Sequence, residues 1–236
     1  MRSLIILFSC AFLACAQQSE PLRQVGTVAL PGVQGRIDHL SLDLNNQRLF
    51  VAALGNNTLE IIDLKNRKRI HSISGLAEPQ GVSYVPPVNR LYVANARDGS
   101  LRIFDGNSFQ LLKSIALGDD ADNLRYDSGD NQVWVGYGSG ALGAIDKDGG
   151  KMADIKLDAH PESFQLERNG SRIFVNLPRS KKIAVIDRKT KSVMTSWVTG
   201  GPQANFPMAL DEAIHRLIVV CRTPARFWFS IRPPAR

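Results

Sequence analysis

Polar side chains that could bind a metal ion or activate a substrate recur at one position of the sequence, eleven residues before a short apolar segment. That position is occupied in turn by Asp38, Gln80, Asp122, Glu162 and Phe206, and the next one by His39, Gly81, Asn123, Ser163 and Pro207. Carboxylate and amide oxygens suit Ca²⁺ or Mg²⁺, and His39 could add a nitrogen ligand or serve as a general base. The predicted ligand-binding residues are therefore Asp38, His39, Gln80, Asp122, Asn123, Glu162 and Ser163, and the candidate metal ligands among them are Asp38, Asp122 and Glu162.

A plainer alternative stays open for each of these residues. A polar side chain before a strand often only hydrogen-bonds the backbone of a neighbouring turn. A position needed for packing alone, however, would carry similar apolar residues in every repeat, and this one does not. We therefore expect the group to share a site, although any single member could be structural.

The apolar segments that follow this position define an internal repeat. They cover residues 49–51, 91–93, 133–135, 173–175 and 217–219, with starts 42, 42, 40 and 44 residues apart. A second series in phase with them places an aspartate at the end of an apolar strand, at Asp63, Asp105, Asp146 and Asp187. Two independent markers with one period indicate a repeat architecture.

Each repeat reads as four short strands, for example 39–42, 48–54, 58–64 and 69–74, separated by turns rich in Asn and Gly. Four strands in about 40 residues predict the blade of a β-propeller, in an all-β fold with about five blades. The Gly-His and Trp-Asp signals of WD repeats are absent from the sequence, and kelch repeats are longer.

The segment Leu91-Tyr92-Val93-Ala94-Asn95 resembles the Tyr-Val-Thr-Asn repeat of YVTN-type β-propellers, a WD40-like class of exported bacterial and archaeal proteins. The resemblance covers about residues 25–226. It implies a propeller domain over residues 17–226 that is incomplete, since these proteins usually have seven blades. Residues 227–236 diverge from the repeat pattern, which we interpret as a frameshift or premature end that removed about two blades. A genuinely shorter member of the family is the alternative.

A truncated propeller has physical consequences for the sheet edges. Residues 26–30 align with the outer strands of the blades and would complete the last blade of a closed ring. If the ring is open, sheet edges and an apolar blade face are exposed. We therefore predict that the chain expressed alone is poorly soluble.

The first sixteen residues read as a secretory signal, with an apolar run over residues 4–13 and Ala14-Cys15-Ala16 as the cleavage site. Leu13-Ala14-Cys15 also resembles a bacterial lipoprotein signal with Cys15 as the lipidated residue. Either interpretation predicts export to the periplasm or the extracellular space. Membrane attachment is expected only through a lipidated Cys15.

The net charge of +7 does not indicate a nucleic acid partner. Arg2 lies in the signal, and four arginines lie after residue 221 without any acid, so residues 17–221 carry only +2. The repeats are nearly neutral. We expect the partner to be a small molecule or a protein.

Other reactive residue types have simpler explanations. Cys221 ends an apolar run and is expected to be a buried small hydrophobe. The glycine-rich residues 136–140 join two strands and predict a hairpin, because a phosphate loop would open a helix. His160, beside Pro161 near the channel mouth, is a weaker candidate than His39.

Three functions follow from these residues. The first is a binding module with a ligand or protein site at the mouth of the central channel. The second is a metal-dependent hydrolase, by analogy of fold with the lactonases of the gluconolactonase family. The third is a propeller that binds a redox cofactor, although no Cys-x-x-Cys-His haem attachment motif is present. Neither the cofactor nor an enzymatic activity is fixed by the sequence.

Overall fold

Each repeat folds into one antiparallel sheet whose strands follow one another in sequence order. The structure is a computed structural model that describes residues 22–231. It has four blades of four strands and one blade of three strands, in a propeller arrangement. The all-β propeller prediction is therefore confirmed. Among the described residues the helical elements are two 3₁₀ turns, Leu54–Asn56 and Pro86–Val88.

The strands run outward from the central channel in every blade. Blade 1 comprises β1 (Leu40–Asp43), β2 (Arg48–Ala53), β3 (Thr58–Asp63) and β4 (Lys68–Ile73). Blade 2 comprises β5 (Pro79–Val85), β6 (Arg90–Asn95), β7 (Ser100–Asp105) and β8 (Leu111–Ala116). Blade 3 comprises β9 (Leu124–Asp127), β10 (Gln132–Tyr137), β11 (Ala141–Ile145) and β12 (Lys151–Lys156). Blade 4 comprises β13 (Phe164–Leu166), β14 (Arg172–Leu177), β15 (Lys182–Asp187) and β16 (Ser192–Val198). Blade 5 comprises β17 (Gln203–Asp211), β18 (Arg216–Thr223) and β19 (Ala225–Ile231).

The core lies between neighbouring blades. Four clusters of buried apolar side chains join blades 1 and 2, 2 and 3, 3 and 4, and 4 and 5. Strand alternation supplies them, since in β10 Val133 and Val135 pack toward blade 2 while Trp134 packs toward blade 4. Each fully buried apolar side chain of this size contributes about 1.5 to 3 kcal/mol to stability. Packing between blades therefore fixes their angular positions around the channel.

The two terminal blades each have one face without such a cluster among residues 22–231. On blade 1, Leu40 and Leu42 point away from blade 2 and are 57% and 50% exposed. Their cross-strand partners are Val51 and Leu49, so this face of the sheet is apolar. An apolar sheet face of this kind favours association.

The structure departs from two expectations at the ends of the domain. Residues 26–30, predicted as an outer strand, have no regular secondary structure, because no described strand lies beside them to supply hydrogen bonds. Conversely, β19 extends into the segment predicted to diverge from the repeat, where Phe227 pairs with Val220. The predicted signal segment, with Cys10 and Cys15, lies outside the described residues. Within residues 22–231, no helix has the length and apolar character needed to cross a bilayer.

Candidate functional site

The candidate site residues lie on a β-bulge that every blade repeats. In blade 1, the Asp38 N–H donates to Ala52 O at 2.9 Å, and the Ala52 N–H donates to His39 O at 3.0 Å. Two residues of the inner segment thus stand opposite one residue of the second strand. Blades 3 and 4 repeat this pattern, and in blades 2 and 5 the pairing register skips the corresponding two residues.

The bulges place the sequence-aligned residues around one end of the channel, because an unpaired extra residue turns its side chain out of the regular alternation. The five pairs are 38/39, 80/81, 122/123, 162/163 and 206/207. They stand opposite Ala52, Ala94, Gly136, Asn176 and Val220. The spacing of eleven residues found in the sequence is therefore the length of the inner strand plus its turn.

A cavity of about 600 Å³ opens where the five bulges meet. Its lining includes all seven residues of the predicted ligand-binding set, namely Asp38, His39, Gln80, Asp122, Asn123, Glu162 and Ser163. It also includes Phe206 and Pro207 of blade 5, so every blade contributes. Small-molecule sites typically enclose about 300 to 1,000 Å³. The cavity is therefore large enough for a small organic ligand.

Three side chains at this cavity form a compact group, which we call the Asp122 cluster: Asp122, His160 and Glu162. One oxygen of each carboxylate and one ring nitrogen of His160 all lie within 4.8 Å of one another. Asp122 and His160 are 4% and 8% exposed. Asp122 Oδ1 is buried and has no hydrogen-bond partner in the described part of the chain. Buried carboxylate oxygens are normally satisfied, so this atom is available to a bound group.

The backbone of a neighbouring hairpin orients the His160 ring. Its Nδ1 lies 2.6 Å from Gly138 O, and because a carbonyl only accepts, Nδ1 must carry the proton. The other ring nitrogen, Nε2, then faces Asp122 Oδ2 at 4.0 Å. Gly138 follows β10 in the glycine-rich segment, whose hairpin pairs Tyr137 with Ala141 and confirms the sequence interpretation.

The electrostatics of the Asp122 cluster favour bound protons when nothing else neutralises it. Burial alone lowers the pKa of His160, but the Asp122 carboxylate, the Gly138 carbonyl and the charges of Asp120 and Glu162 raise it to about 9. Burial and the negative charge of Asp122 raise the pKa of Glu162 to about 7, against the attraction of His160 and Arg222. The cluster therefore holds a charged imidazole and a partly protonated glutamate at neutral pH.

Asp38 and His39 form a separate network on the cavity wall. The Arg36 guanidinium donates to Asp38 Oδ2 at 2.6 Å, and His39 Nε2 lies 3.4 Å from Asp38 Oδ1. Asn123 bridges toward this network, with its Nδ2 3.5 Å from His39 Nε2, while its Oδ1 accepts from Arg125 at 2.8 Å. The structure thus brings Asp122 and Glu162 of the predicted metal set together and places Asp38 with other partners.

Arginines from blades 4 and 5 occupy the rim. Arg179 and Arg222 both line the cavity, and in the described chain neither has a carboxylate oxygen within the 4.0 Å of an ion pair. The Arg222 guanidinium lies 3.9 Å from the centroid of the Phe206 ring, within the range of a cation–π contact. The Phe206 ring therefore stabilises the positive charge of Arg222 at the mouth of the cavity.

Sequence reasoning gave too little weight to His160 and did not find the rim arginines. His160 lies two residues before Glu162, and Arg36 and Asp120 lie at the same offset in blades 1 and 3. In extended chain, residues i and i−2 project to the same side. A search two residues upstream of the aligned position would therefore have found three further lining residues.

The remaining motifs have structural roles, as the sequence indicated. The aspartates that end the third strands accept hydrogen bonds from backbone N–H groups of the following turn, as Asp105 does from Asn107 and Ser108. Cys221 is fully buried in the cluster between blades 4 and 5, and burial raises the pKa of its thiol. Neither feature belongs to the cavity.

Comparison with known proteins identifies the fold alone. No protein family model and no curated protein matches the chain. Among solved structures, the chain is similar to hydrazine synthase of Kuenenia stuttgartiensis, with a TM-score of 0.69 and 18% sequence identity. The match covers 84% of this chain and 58% of that one. A likeness at this identity supports the propeller architecture and carries no function with it.

Proposed function

We propose that this chain is an exported YVTN-type propeller protein that binds a small molecule carrying an anionic group at the mouth of its channel. The observation that carries the proposal is the cavity of about 600 Å³ to which all five blades contribute. A site of this volume, with a few convergent polar groups, suits a small molecule better than a protein surface.

The assignment to the YVTN class is supported by the place of its motif in the fold. Residues 91–95 lie in the second strand of blade 2, β6. Asn95 is fully buried there, and its amide donates to Ser100 O at 3.3 Å, which ties β6 to the start of β7. Export follows from the signal-like N-terminus. Amino-terminal sequencing of mature protein from fractionated cells tests it, with Gln17 expected for soluble export and a lipidated Cys15 for anchoring.

The anionic group of the ligand is inferred from the rim. Arg179 and Arg222 are exposed, and in the described chain neither has a carboxylate oxygen within the 4.0 Å of an ion pair, so each can bind a carboxylate or phosphate. Deeper in the cavity, Asp122 and Glu162 disfavour a second anion. We therefore expect a ligand with its negative group at the rim and a neutral or cationic polar end toward the Asp122 cluster.

The test is a thermal-shift screen with small carboxylates, phosphates and sugar acids, followed by calorimetry of the ligands that raise the melting temperature. The variants Arg179→Gln and Arg222→Gln should each weaken binding about tenfold, since each removes one charge-assisted contact. Arg97→Gln is the matched control, because Arg97 is an exposed arginine on blade 2 that pairs with Glu78 outside the cavity. Binding that survives both rim substitutions would contradict the proposed orientation.

A hydrolase, metal-dependent or using Glu162 as its acid or base, is the second candidate, and the grouping of Asp122, His160 and Glu162 at the cavity favours it. A carboxyl group with a pKa of about 7 at a cavity can act as a general acid or base near neutral pH. The test is hydrolysis of lactones by purified protein with and without divalent metal, with Glu162→Gln expected to abolish any metal-dependent rate. The redox-cofactor alternative stays a prediction that a visible absorption spectrum tests.

A further inference from the structure

We propose that Asp122, His160 and Glu162 bind a first-row transition-metal ion, represented here by Zn²⁺, at the inner end of the cavity. This inference deepens the proposed function. It rests on that function only because both use the same cavity. It differs from the sequence prediction in both the ligands and the ion. His160 replaces Asp38, and a transition metal replaces Ca²⁺ or Mg²⁺.

The three donor atoms are close enough to converge on one ion. They lie within 4.8 Å of one another, and an ion about 2.1 Å from each would hold them about 3.0 to 3.4 Å apart. Side-chain rotation can supply a contraction of this size. The backbone positions are already fixed by the bulges of blades 3 and 4, because the Asp122 and Glu162 N–H groups each donate to the second strand of their own blade.

The orientation of His160 is the one that metal-binding imidazoles adopt. Such a histidine usually donates its second ring N–H to a backbone carbonyl or carboxylate, which fixes the tautomer and aims the remaining nitrogen at the ion. Here Nδ1 donates to Gly138 O at 2.6 Å, and Nε2 faces the Asp122 carboxylate. Once the ion displaces the proton from Nε2, the ring would present its lone pair to the ion held between the two carboxylates.

The Asp122 carboxylate supplies an independent indication. Asp122 is 4% exposed, and its Oδ1 has no hydrogen-bond partner within residues 22–231. A buried carboxylate oxygen without a hydrogen-bond partner is unfavourable, and a bound cation can compensate it. Asp38 lacks this property, because Arg36 and His39 already occupy its two oxygens.

The chemistry of the ligand set selects the ion. An imidazole nitrogen favours Zn²⁺ and its neighbours in the first transition row, whereas Ca²⁺ takes six to eight oxygen ligands. Three protein ligands with an open side toward a cavity of about 600 Å³ leave at least one coordination position for water or for a polar group of the ligand. With the ion bound, the ligand held by the rim arginines would contact it through a neutral polar group.

The experiment uses the full chain, stripped with a chelator and titrated with Zn²⁺ alone in a calorimeter. We expect one ion per chain. Glu162→Gln and His160→Gln should each weaken binding about 100-fold or more, since loss of even an outer-shell partner costs about 10- to 100-fold. His71→Gln is the matched control, because His71 is an exposed histidine on β4 outside the cavity, and this variant should bind Zn²⁺ like the parent.

The outcome does not depend on the folding of any one variant. X-ray absorption of the zinc-loaded parent chain should show one imidazole and otherwise oxygen ligands, and Ca²⁺ should compete at least 100-fold less well than Zn²⁺. Absence of stoichiometric Zn²⁺ binding by folded parent protein would overturn the proposal, as would loss of binding in His71→Gln with retention in Glu162→Gln. Screening for anionic ligands in the presence of chelator is a separate measurement, so failure of the metal site and failure of the proposed function are distinguishable.

Discussion

The substitution Glu162→Gln should change how the stability of the metal-free protein depends on pH. The pKa of Glu162 is raised from 4.5 to about 7 in the folded state, first by burial and then by the charge of Asp122. The folded state therefore binds more protons than the unfolded state between these two values. Consequently, the free energy of unfolding must fall as pH rises through this window.

The magnitude follows from the size of the shift. One pKa unit corresponds to about 1.4 kcal/mol, so ionising Glu162 in the folded state costs about 3 kcal/mol once the pH exceeds 7. Glutamine has nearly the same shape and no charge. We therefore expect Glu162→Gln to be more stable than the parent above pH 7 by an amount approaching this value, with little difference near pH 4.5. His160, with its pKa raised to about 9, lowers parental stability further as pH rises from 6.5 to 9.

The assay is urea unfolding at fixed pH values from 4.5 to 9 in the presence of a chelator. Subtracting the parent curve from the variant curve removes the groups that both proteins share. Glu78→Gln, at a partly exposed glutamate outside the cavity, is the matched control. Parallel curves for the parent and Glu162→Gln between pH 5 and 7.5 would refute the reasoning, because they would mean that Glu162 ionises as freely in the folded state as in water.

Three further predictions concern packing. A Cβ at Gly81 would clash with the backbone oxygen of Asp122 in blade 3, so Gly81→Ala should cost about 1 to 3 kcal/mol in urea unfolding. Gly201→Ala, where the added Cβ would meet no atom beyond the adjacent residues within 4 Å, should not. The thiol of Cys221 is buried with a raised pKa, so a disulfide reagent should react with it only as fast as the protein unfolds, and rapid labelling of native protein would contradict this. Replacing both Leu40 and Leu42 with lysine should increase the monomer fraction in sedimentation, since both are exposed on an apolar sheet face. An unchanged distribution would show that this face does not mediate association.

The fold could be predicted from the sequence because a propeller repeats its local signals. The period of the apolar segments identified every blade. In blade 1, each predicted strand end lies within one residue of the observed one. The strand expected at residues 26–30 was wrong, since a strand needs a partner and sequence alignment identifies only similarity to other strands. Local pattern therefore predicts a strand, and only the surrounding sheet decides whether it forms.

The site could be predicted in position and only partly in chemistry. Alignment of the repeats located the bulge residues, because equivalent residues of different blades converge on the channel. It could not show which side chains touch. Asp38 is neutralised by Arg36 two residues upstream, while the corresponding residue of blade 4, His160, reaches across the blade boundary to Asp122. Such pairings depend on side-chain reach across the channel, which spacing along the chain does not encode.

The repeated bulge separates what holds the cavity together from what gives it specificity. Its hydrogen bonds and register involve backbone atoms only, so Asp122 and Phe206 occupy the same structural position with opposite chemistry. Each blade thus offers one residue that can be exchanged with little effect on the sheet. Substitutions at five such residues can change which ligand the cavity binds while the scaffold stays the same. Antibodies vary their binding residues on loops, whereas here the variable residues lie on the rigid inner edges of sheets.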